Sequence, residues 1–201
     1  MTQAAVPIAL THEWVLQVLG LENIVAKATL KAKEEGIWTD DNDKAYWWTG
    51  FCKDIYAAIV TSEGFMSVKT PDTSFVGVRP TLLYSDIPEN LREQGERNAR
   101  TENNREVITI NGTEFIIGEY ENDIGIRVKV AITKDIIGCS RFHKDGSNPR
   151  FEDTEYYQYC TKYFENLFGR DRLGNNTVKS PEENKMAEQD NAKERKTDRE
   201  L

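Results

Sequence analysis

The chain has little of what most catalytic sites are built from. Its 201 residues include two histidines, three cysteines and six prolines. His12 and His143 stand alone, with no second ligand at the spacing a zinc site needs. Cys52, Cys139 and Cys160 are too widely spaced for a disulfide framework, and an odd count leaves one unpaired. Reduced thiols in a cytoplasmic compartment fit best. A Gly-x-Ser-x-Gly elbow, a P-loop, a Rossmann fingerprint and a His-Glu-x-x-His helix are all missing. No enzyme activity, metal or cofactor is therefore expected. Cys52 is the one nucleophile candidate, and with neither histidine near it in sequence it reads as a structural thiol.

Long apolar runs are missing too. No stretch reaches transmembrane length, and residues 4–10 are too short and proline-broken for a signal peptide. Asn111 and Asn175 sit in Asn-x-Thr sequences, which carry no glycosylation meaning in a cytoplasmic protein. Positive charge is in deficit. Lys and Arg number 26 against 34 Asp and Glu, a net charge of −8, which argues against direct binding to a phosphate backbone. Asp40, Asp41 and Asp43 form a short acidic cluster, but the interleaved Asn42 and Lys44 do not make an EF-hand loop. A solvated turn is the simpler reading.

What the chain does have is aromatic and unevenly placed. Thr11 can cap a helix carrying Trp14, Val15, Val18 and Leu19, with Gly20 at its end. A second helix is predicted from about Leu21 to Glu35, stopped by Gly36. Tyr46-Trp47-Trp48 opens a strand, and two adjacent tryptophans belong at the heart of a packed unit. An apolar run from Ile55 to Val60 and the segment from Phe65 to Val68 read as a hairpin turning at Ser62-Glu63-Gly64. Gly77-Val78-Arg79-Pro80 follows. A guanidinium flanked by apolar residues is expected half buried, its fork bonded to carboxylates or carbonyls.

Residues 88–105 turn polar, as a linker or a solvated helix weakened by Gly95. Asn111-Gly112 between two apolar runs is a strong hairpin signal, and residues 126–132 alternate as a strand with one wet face should. Residues 152–168 read as an aromatic helix with Tyr156, Tyr159 and Tyr163 on one face. Such a stripe is more often core, yet tyrosine also suits a protein interface. The tail from about residue 171 has almost no apolar anchors and is expected to be disordered unless bound.

The Trp pair, the hairpin and the closing Gly-Val-Arg-Pro, in that order, resemble the C-terminal part of a domain family with the C-type-lectin fold. The similar branch is the one related to formylglycine-generating enzymes, found in uncharacterised proteins of gut bacteria and their phages. The likeness covers about residues 21–84. It implies an α+β fold: a twisted antiparallel C-type-lectin-like sheet with flanking helices, here joined by an additional β hairpin and the C-terminal aromatic helix. Residues 1–87 would be the lectin-like segment and Gly77, Arg79 and Pro80 its structural motif. Residues 106–170 either complete the same sheet in permuted order or form a separate small β unit. Catalytic relatives carry a cysteine after the closing Gly-aromatic-Arg, where Pro80 stands here, so copper-dependent oxidation finds no support. Relatives with a variable binding face are rich in asparagine across the hairpin, and residues 50–76 contain none.

The resemblance without catalytic cysteines implies a noncatalytic binding or structural module of phage or prophage type, located in the virion or the host cytoplasm. A protein partner or self-assembly is expected, with Tyr156, Tyr159 and Tyr163 as candidate interface residues. A glycan is a second candidate ligand: Trp47, Trp48 or Tyr56 would stack on its apolar face, provided they are exposed. The alternative is an intracellular phage inhibitor of a host defence complex, acting by acidic mimicry or by plugging a site.

Overall fold

Thr11 and Gly20 bound the first helix as their chemistry requires. The Thr11 hydroxyl accepts the Trp14 amide at 3.2 Å, and Gly20 takes φ 66° where the helix stops. In the computed structural model, which describes residues 5–144 and 150–169, this helix is α1, His12–Leu19. There follow α2 (Leu30–Glu34), β1 (Trp47–Lys53), β2 (Tyr56–Val60), β3 (Met66–Lys69), β4 (Val76–Val78) and β5 (Thr81–Leu83). The second half supplies α3 (Glu89–Arg97), β6 (Arg100–Glu102), β7 (Arg105–Ile110), β8 (Thr113–Glu121), β9 (Arg127–Thr133), β10 (Gly138–Ser140) and α4 (Glu155–Leu167). The fold is thus mixed α+β. The tail expected from residue 171 lies outside the described residues.

Two five-stranded sheets form, in the orders β10-β4-β1-β2-β3 and β5-β9-β8-β7-β6. Both are antiparallel apart from the β1–β4 pair. Their hairpins obey local turn chemistry. Gly64 turns at φ 87° between β2 and β3, and Asn111-Gly112 turns between β7 and β8 with both residues at positive φ. The sheets are joined where β4 runs into β5 and β9 runs on to β10. There the Ile137 amide donates to Val78 O and the Thr133 amide to Pro80 O, both at 3.0 Å, on either side of Arg79. The segments 1–87 and 106–170 therefore trade strands: β5 pairs with β9, and β10 pairs with β4. Described residues through Phe168 form one compact unit.

Strand alternation gives the β layer two apolar sides. Trp47, Val60, Val107, Ile116, Val130 and Ile132 pack with Val15, Val18 and Leu19 of α1. On the other side Phe164 and Phe168 of α4 meet Ile108, Ile110, Phe115 and Ile117. Further along the same helix, Tyr156 and Cys160 meet Trp48, Ile59, Val76 and Val78. Two glycines permit close approach. A Cβ on Gly118 of β8 would stand 2.3 Å from the Val18 carbonyl oxygen, and one on Gly77 would stand 2.7 Å from Tyr46 O.

One expectation is corrected and one choice is decided. The helix predicted over Leu21–Glu35 is a single 3-10 turn, Leu21–Asn23, followed by an extended stretch and the five-residue α2. Backbone pairing overrides helix propensity there: Ala28 N donates to Asp43 O, Ala45 N to Ala26 O and Ile136 N to Lys27 O. Of the two readings of residues 88–105, the helix is the one that forms. They form α3 and β6, and Gly95 is where α3 touches β7, since a Cβ there would lie 3.2 Å from Ile108.

Candidate functional site

The motif residues occupy the junction of the two sheets. Arg79 is 1 % exposed. Its Nε donates to Thr133 O at 2.7 Å, its Nη1 to Asn23 O and Ile24 O at 3.2 and 3.4 Å, and its fork lies 4.9 Å from the Trp47 ring centre. Burial pushes its pKa down to about 9, against the opposing pull of Asp135, so the group remains charged at neutral pH. Its partners are carbonyls, and Nη2 has none among the described residues. Arg79 thus ties the turn after α1, the end of β9 and the Trp strand together.

This arrangement corrects two of the proposed ligand contacts. Trp47 and Trp48 are 1 % and 0 % exposed, and their indole N–H groups donate to Ile24 O and Ser140 O. No face is left on which a sugar could stack. Tyr156, offered as an interface residue, is likewise buried, its hydroxyl reaching Arg79 O and Trp48 O at 3.3 and 3.4 Å. Tyr159 and Tyr163 are partly buried and engaged within the chain. The Tyr159 hydroxyl donates to Glu35, and the Tyr163 hydroxyl bonds that of Thr113. The aromatic face of α4 is core.

Tyr56 is different. It is 47 % exposed and lines a groove of about 560 Å³ on the α1 side of the first sheet, where the sheet extends past the helix. Tyr56, Ala58 and Val68 form the floor from β2 and β3, Phe51 borders them, and Trp14 and His12 make the α1 wall. Trp14 is held by stacking on Tyr120, with ring centres 4.5 Å apart. Glu13, Asp54 and Asp123 against Lys53 give the rim an acidic balance. His12 titrates below the ordinary histidine range because burial outweighs the backbone groups of Ile59 and Ser67, so the ring is neutral at pH 7. Its Nε2 is buried without a partner among the described residues.

Nucleophile chemistry is poorly served at these positions. Burial, and then Asp54, push the Cys52 thiol above its ordinary range, which suppresses the thiolate. Burial and Glu35 do the same to Cys139. Cys160 is fully buried and raised much further. All three thiols are free. Among the described residues no cluster of three His, Cys, Asp or Glu is placed to hold a metal. Asp40 of the acidic loop spends its Oδ1 on the amides of Asn42 and Lys44. No helix of the described residues is long and apolar enough to cross a membrane.

No family model matches the chain, and searches of curated proteins and of solved structures likewise find no match. The groove is thus defined by its own geometry. Sequence reasoning found Tyr56 but missed Trp14, Phe51, Val68 and His12. A usable signal was present: Tyr56, Ala58 and Val60 share one strand face, and only the last needs to lie beneath α1.

Proposed function

We propose that the chain is a noncatalytic binding module that takes a segment of a partner protein into the groove beside α1, as an attachment or decoration protein of a phage or prophage virion. The groove carries the binding part of this reading: Phe51, Tyr56 and Val68 are 37, 47 and 50 % exposed in one concavity. Exposed apolar side chains gathered in one place mark interaction sites, whereas scattered ones do not. The acidic rim favours a segment that carries basic as well as apolar side chains. The virion setting rests on the sequence resemblance.

The alternative, an intracellular inhibitor acting by acidic mimicry, needs carboxylates that are free and close together. Many here are neutralised locally. Glu102 and Glu114 share Arg100 and Lys134, Asp153 pairs with Arg150, and Glu155 with Arg141. Mimicry of a phosphate backbone is the weaker reading for that reason.

The test is mass spectrometry of intact particles and soluble lysate from induced source cells, with native protein and a Val68→Glu variant. Stoichiometric presence in particles, lost in a variant that still folds, is the expected result. Absence from particles would overturn the virion role, and a host complex retained by the native protein but not the variant would then support the inhibitor.

A further inference from the structure

On the opposite side of β3 from Val68 lies a second concavity, of about 450 Å³, built from Trp38, Tyr46, Phe75 and Lys69. We infer that this slot binds an acidic sugar, with the sugar ring against the aromatic corner and its carboxylate on the Lys69 ammonium. The inference does not depend on the groove beside α1.

Three observations carry it. First, Trp38 and Phe75 are 63 % and 59 % exposed, yet both line one concavity of the size that small ligands occupy, roughly 300–1,000 Å³. Second, Phe75 has φ 62°, a left-handed conformation that costs a bulky residue about 1–3 kcal/mol. Its ring is mostly in water, so burial within the chain does not offset that cost. The conformation sets the ring beside Gly36, where an added Cβ would lie 3.3 Å from it. Third, Lys69 lies over the Tyr46 ring, 5.4 Å from its centre, and no carboxylate among the described residues forms an ion pair with it. It is a cation in an aromatic setting, available to an anion.

The same features narrow the ligand class. An aromatic cage for a methylated ammonium is excluded, because Lys69 already stands over the Tyr46 face and would repel a second cation. A flat base sandwiched between rings is excluded by angle: Trp38 and Tyr46 meet edge to face at 69°, with centres 6.1 Å apart. They form a corner, which suits a puckered ring whose C–H groups meet an electron-rich face. A polyphosphate or nucleic acid would meet the repulsion of a chain carrying net charge −8, a penalty far smaller for a single carboxylate. Thr73 and Ser74 also line the slot; the Thr73 hydroxyl bonds that of Thr70 at 3.1 Å and, like that of Ser74, has further capacity for a sugar hydroxyl.

The experiment is a fluorescence and calorimetric titration of the full chain with sialyllactose, galacturonic acid and glucuronic acid, each carrying one carboxylate, using lactose as the neutral control. At least one acidic probe is expected to bind saturably and roughly tenfold or more tighter than lactose. Lys69→Gln should erase that preference, and Trp38→Ala should weaken binding about tenfold. Phe75→Gly is the decisive variant. Glycine accepts the left-handed backbone, so the melting temperature should hold or rise while affinity falls by about the same factor. No saturable binding of any acidic probe by millimolar concentrations would overturn the inference. So would lactose binding as well as the acids, or variants that bind like the native chain.

Discussion

The two sheets have five strands each, but they are not equally covered. The β5-β9-β8-β7-β6 sheet has α1 on one side and α3 with part of α4 on the other, and Phe115, Ile116, Ile117 and Ile132 are buried. The β10-β4-β1-β2-β3 sheet is sealed around Trp47 and Trp48, but its β2–β3 end extends beyond its helices. Phe51, Ile55, Tyr56, Phe65, Val68 and Phe75 all lie exposed in or beside that end. One sheet is spent on stability, and the other, braced at its centre by Arg79, presents side chains to solvent at its margin. Recognition is accordingly sought at the margin, and stability at the junction and in the covered sheet.

The strongest way to break this division is at the junction. Arg79→Ala should destabilise the chain by about 3–5 kcal/mol, because it opens a cavity and removes the guanidinium's bonds to Thr133 O, Asn23 O and Ile24 O, the last of which keeps the Trp47 indole as donor. Urea unfolding measures it, and a loss below about 1 kcal/mol would mean the junction is not where stability resides. Alkali tests the same region. Tyr156 and Cys160 are fully buried, and burial raises both far above their ordinary values. The unfolded chain therefore releases those protons first, above about pH 8.5 for the thiol and pH 10 for the phenol. Stability should fall with rising pH there, by up to about 1.4 kcal/mol per pH unit for each group. Arg79, lowered to about 9, works in the opposite sense because the unfolded chain keeps its proton longer. Arg79 offsets one such group, but Cys52, Cys139, Tyr159 and Tyr163 are raised by burial as well, so the net is a loss. Stability that stays flat from pH 8 to pH 11 would contradict these burials.

Gly118→Ala addresses the covered sheet. The new methyl meets the Val18 backbone and must push α1 outward, at a cost of about 1–3 kcal/mol. Because α1 also carries His12 and Trp14, the same change should loosen the groove wall, visible as altered tryptophan fluorescence. At the margin the expectation reverses. Tyr56→Ala should shift stability by less than about 0.5 kcal/mol while weakening partner retention. A large stability loss there would show that the groove is core in disguise. Smallest of all is Cys52→Ser, which should leave binding unchanged; loss of a measurable activity in that variant would reopen a nucleophilic role.

Much of the covered framework was legible because its signals are local. The Thr11 cap and the Ser62-Glu63-Gly64 and Asn111-Gly112 turns each fix their own few residues, and β9 is a strand as expected, although its wet face ends at Lys129 because Val130 to Thr133 are covered on both sides. The acceptors of Arg79 were legible by chemistry, since a cation between apolar neighbours needs them and carbonyls supply them, but the guanidinium is fully buried rather than half buried as expected. What failed was non-local. Residues 25–28 have helix-compatible residue types, but they are held extended by Asp43, Lys44, Ala45 and Ile136, which come much later in the chain. Gly95 reads as a helix weakness until Ile108 is seen against it. The Trp pair was rightly placed at the heart of the fold and for that reason could not also serve as a binding platform. The margin residues had only a partial signal, the shared strand face of Tyr56, Ala58 and Val60, because an exposed aromatic and a buried one look the same in sequence.

The exchange of β5 and β10 between sheets also sets an order of events during synthesis. As the chain leaves the ribosome, β1, β2 and β3 can pair early, but β4 meets its outer neighbour only when Gly138–Ser140 emerges. Arg79 waits equally long for Thr133, and the Tyr156 hydroxyl that caps its carbonyl comes later still. Until then the Trp strand stands with apolar faces open, and the guanidinium has only its earlier acceptors, Asn23 O and Ile24 O. Closure is a late step built on distant contacts, the kind that folds slowly and exposes nascent chains to aggregation. The first half of this protein depends on the second to finish folding.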